Sequence, residues 1–491
     1  MRHCAAITFR LCLWRRSARA EGGRGSDAQN AGAQNPRDSK GGWSIVQPTG
    51  KLFRRGVCDQ MSWNNLYALK SYIRSSLWIV PFFALVLQQI FFRVVLAFED
   101  WTKWVPPWPL GTEGTLAAMQ TIISLALSFI VFTFGSLLVA LQIAGGQLTP
   151  RIIATTLLRD NVIRFTVGLF IFTLLFAIGA ISRVNTSAPS FIVWFSGILG
   201  VLSLAAFLYF IDYSARLLRP VSIINRVARQ GFSVLDVVYQ TQLSQATERP
   251  QPIEVRGKPD SVISHTGYSA IILAVDIKAL TAAAHKVDGV VELVARIGDF
   301  VSQGQPLLRL YSGAKTLSPN DLRRTIAFGG ERTLEQDPTF AFRVIVDIAT
   351  KALSRAINDP TTAVLAIDQL QRLLRTVGER ELRNEFVHDS EGRLRVVFPT
   401  PDWEDFVQLT CREIRIYGTE NLQIARRLRA MINNLEEVLP ESRKAALRLE
   451  RDLLDQMIEK VYLLSEDAAL ARIADTQGLG GSAGGTPVSN S

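Results

Sequence analysis

Four long apolar runs, separated by short polar breaks, dominate the chain between Ser76 and Ile211. Ser76 to Phe92 is seventeen residues without a charge, and past Arg93 the run resumes as VVLAF. From Gly114 to Pro150 there is no ionisable residue. Phe165 to Ile181 and Pro189 to Ile211 supply two further runs, joined by a tight loop around Asn185. A helix needs about 20 apolar residues to cross the ~30 Å hydrocarbon core. The pattern therefore predicts spans at about 76–98, 116–144, 165–182 and 189–211. At about 1.5 Å per residue, Leu116–Ala144 as one helix would be about 43 Å long, so it must tilt or project as far as the Gly145-Gly146 breaker. One such run could be a buried helix of a globular protein; four in succession are not.

Beyond Pro220 the period changes. Residues 253–312 show β-branched alternation with frequent turn residues, which predicts short strands. Within them VDGVVELVARIGDFVSQGQPLLRLYS has the pattern of half a barrel-sandwich, with tight turns at Gly298-Asp299 and Gly304-Gln305. Lipoyl-type carriers expose a lysine at a hairpin tip; Lys278 lies instead in IKALTAAAHK, which has a helical pattern, so the module is expected to be structural and without a cofactor. TFAFRVIVDIATKALSRA and TTAVLAIDQLQRLL are two amphipathic helices interrupted by INDP. There Asp359 fits an N-cap before a first-position proline, and Asn358 fits the left-handed residue that closes the preceding helix. Residues 403–435 and 440–474 predict a long helical hairpin, and residues 476–491 a flexible Gly/Ser tail.

The division expected from these patterns is a leader at 1–60, a four-helix transmembrane domain at 61–219, a linker helix with the β-rich module at 220–319, a helical cytoplasmic domain at 320–475 and the tail at 476–491. The fold class is thus a membrane α-helical domain plus an α+β cytoplasmic domain. Charge refines the picture. Of the formal +10, residues 1–60 carry +7, with eleven Lys/Arg against four Asp/Glu. The remainder shows no basic excess of the kind nucleic-acid binding needs, which sets that partner aside. The leader lacks the apolar core of a secretory signal, and Met61 opens a short basic approach to the first span that is expected to be the biological start. Cys4, Cys12, Cys58 and Cys411 are scattered, with no zinc or disulfide spacing.

Lysine and arginine near the span ends set orientation. Lys51, Arg54, Arg55, Lys70 and Arg74 precede the first span; Arg151, Arg159 and Arg164 lie between the second and third; Arg216, Arg219, Arg226 and Arg229 follow the fourth. The opposite loops hold Lys103, with Arg93 at its margin, and Arg183, beside the interfacial Trp101, Trp104 and Trp108. Both termini are expected in the cytoplasm, and the membrane is expected to be the inner (plasma) membrane. Gln88, Gln89, Gln120 and Gln142 are the mid-span polar groups. With no buried acid or base, proton-coupled transport is disfavoured.

Several strings carry a family resemblance: GGQLTPRIIATTLLRD after the second span, HTGY at His265–Tyr268, ERTLEQDPTFAFRVIVDIATKAL and LSRAINDPTTA. Together they resemble a bacterial membrane-protein family, domain of unknown function 2254, from about Met61 to Ala471. Arg332, Thr333, Gln336, Asp337, Arg343, Asn358 and Asp359 match its pattern. Arg355 stands where a proline is expected and Ala341 where a glycine is, and the turn after Arg151 lacks the usual asparagine-aromatic pair. The resemblance implies a multi-span domain with a soluble C-terminal region and no known reaction.

No Gly-x-Ser-x-Gly elbow, Gly-Lys phosphate loop or His-Glu-x-x-His appears, and His3, His265, His285 and His388 are isolated in sequence. An enzyme is disfavoured. Arg332, Asp337, Arg343, Asn358 and Asp359 are the candidate polar cluster, either an anion pocket or helix-end ion pairs and caps. Ser124, Ser128 and Gly135 recur on one side of the second span and would line a pore or a helix-packing seam. The expected function is an oligomeric, channel-like or transport protein gated by its cytoplasmic domain; a membrane-anchored sensor or scaffold is the alternative.

Overall fold

The computed structural model describes residues 63–102, 111–143, 145–146, 160–184, 191–217, 219–245, 257–382 and 385–481. The leader and the loops holding Lys103, Trp104, Trp108, Arg151 and Arg159, with what was expected of them, lie outside these residues.

Helix α1 (Trp63–Ser75) is followed by four long apolar helices: α2 (Ile79–Thr102), α3 (Thr112–Ile143), α4 (Asn161–Val184) and α5 (Phe191–Leu217). Each is long and apolar enough to cross a membrane. The central element is α4, which packs against α2, α3 and α5. Small residues permit the close approach: a Cβ at Gly200 would come within 2.9 Å of Ile122. Between the helices, Phe91, Phe92, Phe172, Phe176 and Phe195 stack into an aromatic cluster. Facing outward are Phe83, Val131, Leu138 and Val201, each about two-thirds exposed or more. So wide an apolar surface is stable against lipid or protein, not water.

After α5 comes α6 (Pro220–Val238), whose Ile223, Ile224, Val227 and Leu235 enter the main core of the C-terminal part. That core is completed by α9 (Pro338–Ala352), α10 (Pro360–Gly378), α11 (Trp403–Gly418), α12 (Leu422–Val438), α13 (Glu441–Val461) and α14 (Ser465–Ala471), which follow the β-rich module. Gly231 of α6 and Ala341 of α9 meet face to face, with a Cβ on Gly231 only 2.8 Å from that of Ala341. The alanine that departs from the family pattern thus sits opposite a glycine.

The β-rich module contains β1 (Ser261–Ser264), β2 (Ala270–Val275), α7 (Ile277–Lys286), β3 (Gly289–Leu293), β4 (Phe300–Val301), β5 (Pro306–Ser312), the single turn α8 (Pro319–Arg323) and β6 (Ile326–Gly329). Two later strands, β7 (Phe386–His388) and β8 (Leu394–Val397), return to it. A five-stranded sheet runs β1-β5-β3-β8-β7, antiparallel except for the parallel β3–β8 pair, and a three-stranded sheet runs β4-β2-β6. Residues of both sheets, Ile263, Val291, Leu310 and Val396 with Ile272, Val301 and Ile326, share one core. Three of the strands lie beyond residue 319, inside the stretch the sequence division gave to helices.

Two further corrections concern the C-terminal region. The first arm of the expected hairpin, 403–435, is broken at Thr419–Asn421, because Asn421 caps a new helix by accepting from the Gln423 and Ile424 amides. Residues 476–481, expected as the start of a flexible tail, are folded; residues 482–491 lie outside the described residues. Asp475, buried, accepts from the amides of Gln477, Gly478 and Gly480, while Arg426 donates to the carbonyls of Ile473 and Gly480. These bonds fold residues 476–481 onto α12.

Candidate functional site

Helix α3 has two faces. Thr115, Met119, Ala126, Phe129, Thr133, Leu137 and Ala140 are buried. The opposite face places Thr121, Ser124, Ser128, Gly135 and Gln142 in the open, and a Cβ at Gly135 would meet nothing within 4 Å. Alternating steps of three and four, filled by Val131 and Leu138, keep these positions on one side of the helix. The hydroxyls are satisfied within the helix: Thr121 donates to the Ala117 carbonyl and Ser128 to the Ser124 carbonyl, both at 2.8 Å. A single copy therefore leaves uncovered the three positions singled out from sequence.

The other five candidates do not share one pocket. Asp337 caps α9, its Oδ1 accepting from the Phe340 amide at 3.2 Å and from the Thr339 hydroxyl. Its Oδ2 is buried with no hydrogen-bond partner among the described residues, and burial pushes the carboxyl above its ordinary range. Arg332 Nε donates to the Gly298 carbonyl at 2.7 Å; Gly298 has φ 95°, and a side chain there would collide with Asp337 Oδ2. Tyr239, also buried with an unpartnered hydroxyl, has its phenol pushed up by burial and then by the Asp337 charge. Arg343, midway along α9, grips Glu413 in a fork at 2.5 and 2.6 Å and Asp347 at 2.6 Å. Asn358 takes a left-handed φ of 47°, and Asp359 caps α10 through the Thr362 amide at 3.1 Å. Fifteen residues of α9, about 22 Å, separate the Asp337 end from the Asp359 end. The local geometry is that of caps and ion pairs.

Sequence reasoning missed the joint between the apolar helices and the C-terminal part. Asp160, buried, caps α4 by accepting from the Val162 amide at 2.9 Å. Its Oδ2 accepts from the Tyr213 hydroxyl of α5 and from Arg226 Nη1 of α6 at 2.6 Å, and Arg226 Nη2 donates to the Tyr213 oxygen at 3.0 Å. Three helices thus meet on one carboxylate. The signal was present, since Asp160 is the sole acid between Glu113 and Asp212. His285, isolated in sequence, pairs with Asp389 at 2.8 Å; Arg395, and next His285, hold that carboxyl far below its usual range. Among the described residues no three His, Cys, Asp or Glu side chains gather as a metal-ligand set.

Four helices long and apolar enough to cross a membrane, joined to a C-terminal part with its own core, are the architecture of a membrane protein with four candidate spans. The family model described as predicted membrane protein (DUF2254) matches residues 74–434, from the start of the apolar helices into α12, and the chain belongs to that family. It is 26% identical over 426 residues to an uncharacterised protein of Mycobacterium bovis and to one of Mycobacterium tuberculosis, covering 83% of this chain and 81% of each relative. A third, from another strain of Mycobacterium tuberculosis, is 25% identical over the same coverage. No solved structure matches.

Proposed function

We propose that the protein is an oligomeric, channel-like conduit of the inner membrane, with both termini in the cytoplasm and the C-terminal part acting as its gate. The observation that carries this reading is the uncovered face of α3. Ser124, Ser128 and Gly135 lie on it at heptad spacing, on a helix of 32 residues that is about 48 Å long and outreaches the ~30 Å hydrocarbon core. Copies brought together on that face would surround a path lined by small and weakly polar groups. The arginines that follow α5 favour the orientation, and the Asp160–Arg226 joint supplies a stiff link from the C-terminal part to two of the spans. The β-rich module fits a barrel-sandwich-type scaffold for the gate, and Lys278, in the first turn of α7, lacks the hairpin position of a carrier lysine.

Purified full-length protein in vesicles loaded with potassium, sodium or chloride salts tests the reading. Leakage above protein-free vesicles under at least one voltage, pH or osmotic gradient is expected. Its absence under all of them moves the assignment to a membrane-anchored sensor or scaffold, a role that the size of the folded C-terminal part would also suit. Reporter fusions at residues 240 and 475 are expected to report cytoplasm, and one at residue 186 the far side.

A further inference from the structure

Beside the Asp160 joint lies a cavity of about 550 Å³, between the end of α5, the start of α6 and the flank of α10. Arg216, Arg226, Arg229 and Arg372 all line it, and among the described residues no carboxylate does. Two of the four charges are spoken for: Arg216 pairs with Asp212, and Arg226 with Asp160. The other two are not. Arg372 donates to the neutral amide oxygen of Gln369 at 2.7 Å, and its guanidinium carbon lies over the Phe232 ring, 5.3 Å from the centroid. Arg229 has no ion-pair or hydrogen-bond partner among the described residues, and neither has the Asn225 amide on the same wall. The first turn of α6, the positive end of a 19-residue helix, reaches the cavity through Ser222.

We propose that this cavity binds a phosphate-bearing anion. Planar guanidinium forks match phosphate oxygens two at a time, and a site with two uncompensated cations in a concave wall holds a dianion better than water does. Its position also matters. Leu217, the last residue of α5, is part of the lining, so the site sits level with the end of a candidate span, where phospholipid headgroups lie. A phospholipid headgroup and a soluble phosphate compound offer the same chemistry there. Because Arg372 comes from the C-terminal core and Arg216 from α5, a bound anion would tie the two parts together. The assignment stands whether or not the protein conducts ions.

Full-length protein in detergent micelles provides the test, with thermal unfolding followed by tryptophan fluorescence. Two probes are titrated. Phosphatidylglycerol is compared with phosphatidylcholine, and inorganic pyrophosphate with chloride at matched ionic strength. Saturable stabilisation over the matching control is expected for at least one probe. Phosphatidylglycerol alone would identify a lipid site, and pyrophosphate a site open to soluble ligands. Arg229→Gln with Arg372→Gln leaves the Asp160 network intact and should weaken the midpoint about tenfold or more. If the double variant fails to accumulate, Arg229→Gln alone carries the comparison, since that side chain supports no other. No stabilisation of the wild type by either probe, or an unchanged response in the variants, overturns the proposal.

Discussion

Asp337 and Asp359 cap successive helices in the same way but in different surroundings, and substitution should separate them. Asparagine at 359 keeps the acceptor that holds the Thr362 amide, so Asp359→Asn should melt with the wild type. Asp359→Ala should lose about 0.5–2 kcal/mol, read from denaturant unfolding. Asp337 carries a further burden, because its Oδ2 is buried without a donor and its carboxyl is raised. A raised acid binds its proton more tightly in the folded state than in the unfolded one. Its contribution is therefore fully present below the ordinary carboxylate pKa of about 4 and is lost as pH rises through the folded value. Asp337→Asn removes that dependence while keeping the cap. The stability of the variant relative to wild type should climb with pH across this window and then level off; a flat difference would contradict the burial argument. Caps were legible in the sequence because they depend on neighbours three residues away. The buried Arg426 was not, since it and its acceptors Ile473 and Gly480 lie about fifty residues apart in sequence, and the Asp475 amide cluster, though local, was hidden in a stretch whose Gly/Ser composition predicts a flexible tail.

At the scale of elements, the four apolar helices were readable because a bilayer's thickness imposes a length and a composition on each. Their packing was not. Gly200 reads as one glycine among several in α5, yet it is the point where Ile122 of α3 comes closest. Gly200→Leu should force these helices apart at a cost of about 1–3 kcal/mol. It should appear as lower membrane yield and as a lower melting temperature for the surviving protein; unchanged yield and melting would mean that the helices do not meet there. Strands β7 and β8 show a different limit. The turn that joins them has a left-handed glycine, Gly392 with φ 77°, which is a local signal. The parallel pairing of β8 with β3 spans about a hundred residues and leaves no periodic trace. The break at Asn421 was readable as an asparagine cap but was masked by the continuous apolar stripe on both sides of it.

The whole molecule joins a bundle with an apolar exterior to a C-terminal part with its own core, through a carboxylate shared by three helices. Of the site, the grouping of Ser124, Ser128 and Gly135 on one side of α3 could be read from spacing alone, because any straight helix puts residues four and seven apart on one side; that this side is uncovered could not. The cavity beside α6 could not, because Arg372 enters it from a helix that starts some 140 residues after the last span ends. The central claim is that Ser128 faces a water-filled path. Its most direct test is Ser128→Cys in a chain with Cys4, Cys12 and Cys58 changed to serine, Cys411 being wholly buried with its thiol pushed up by that burial. Phe83→Cys, on the exposed side of α2, serves as the lipid-facing comparison. A charged, membrane-impermeant methanethiosulfonate applied to vesicles should modify the cysteine at 128, reduce flux and leave the one at 83 untouched. Modification of the cysteine at 128 by a lipid-soluble maleimide alone would contradict the account.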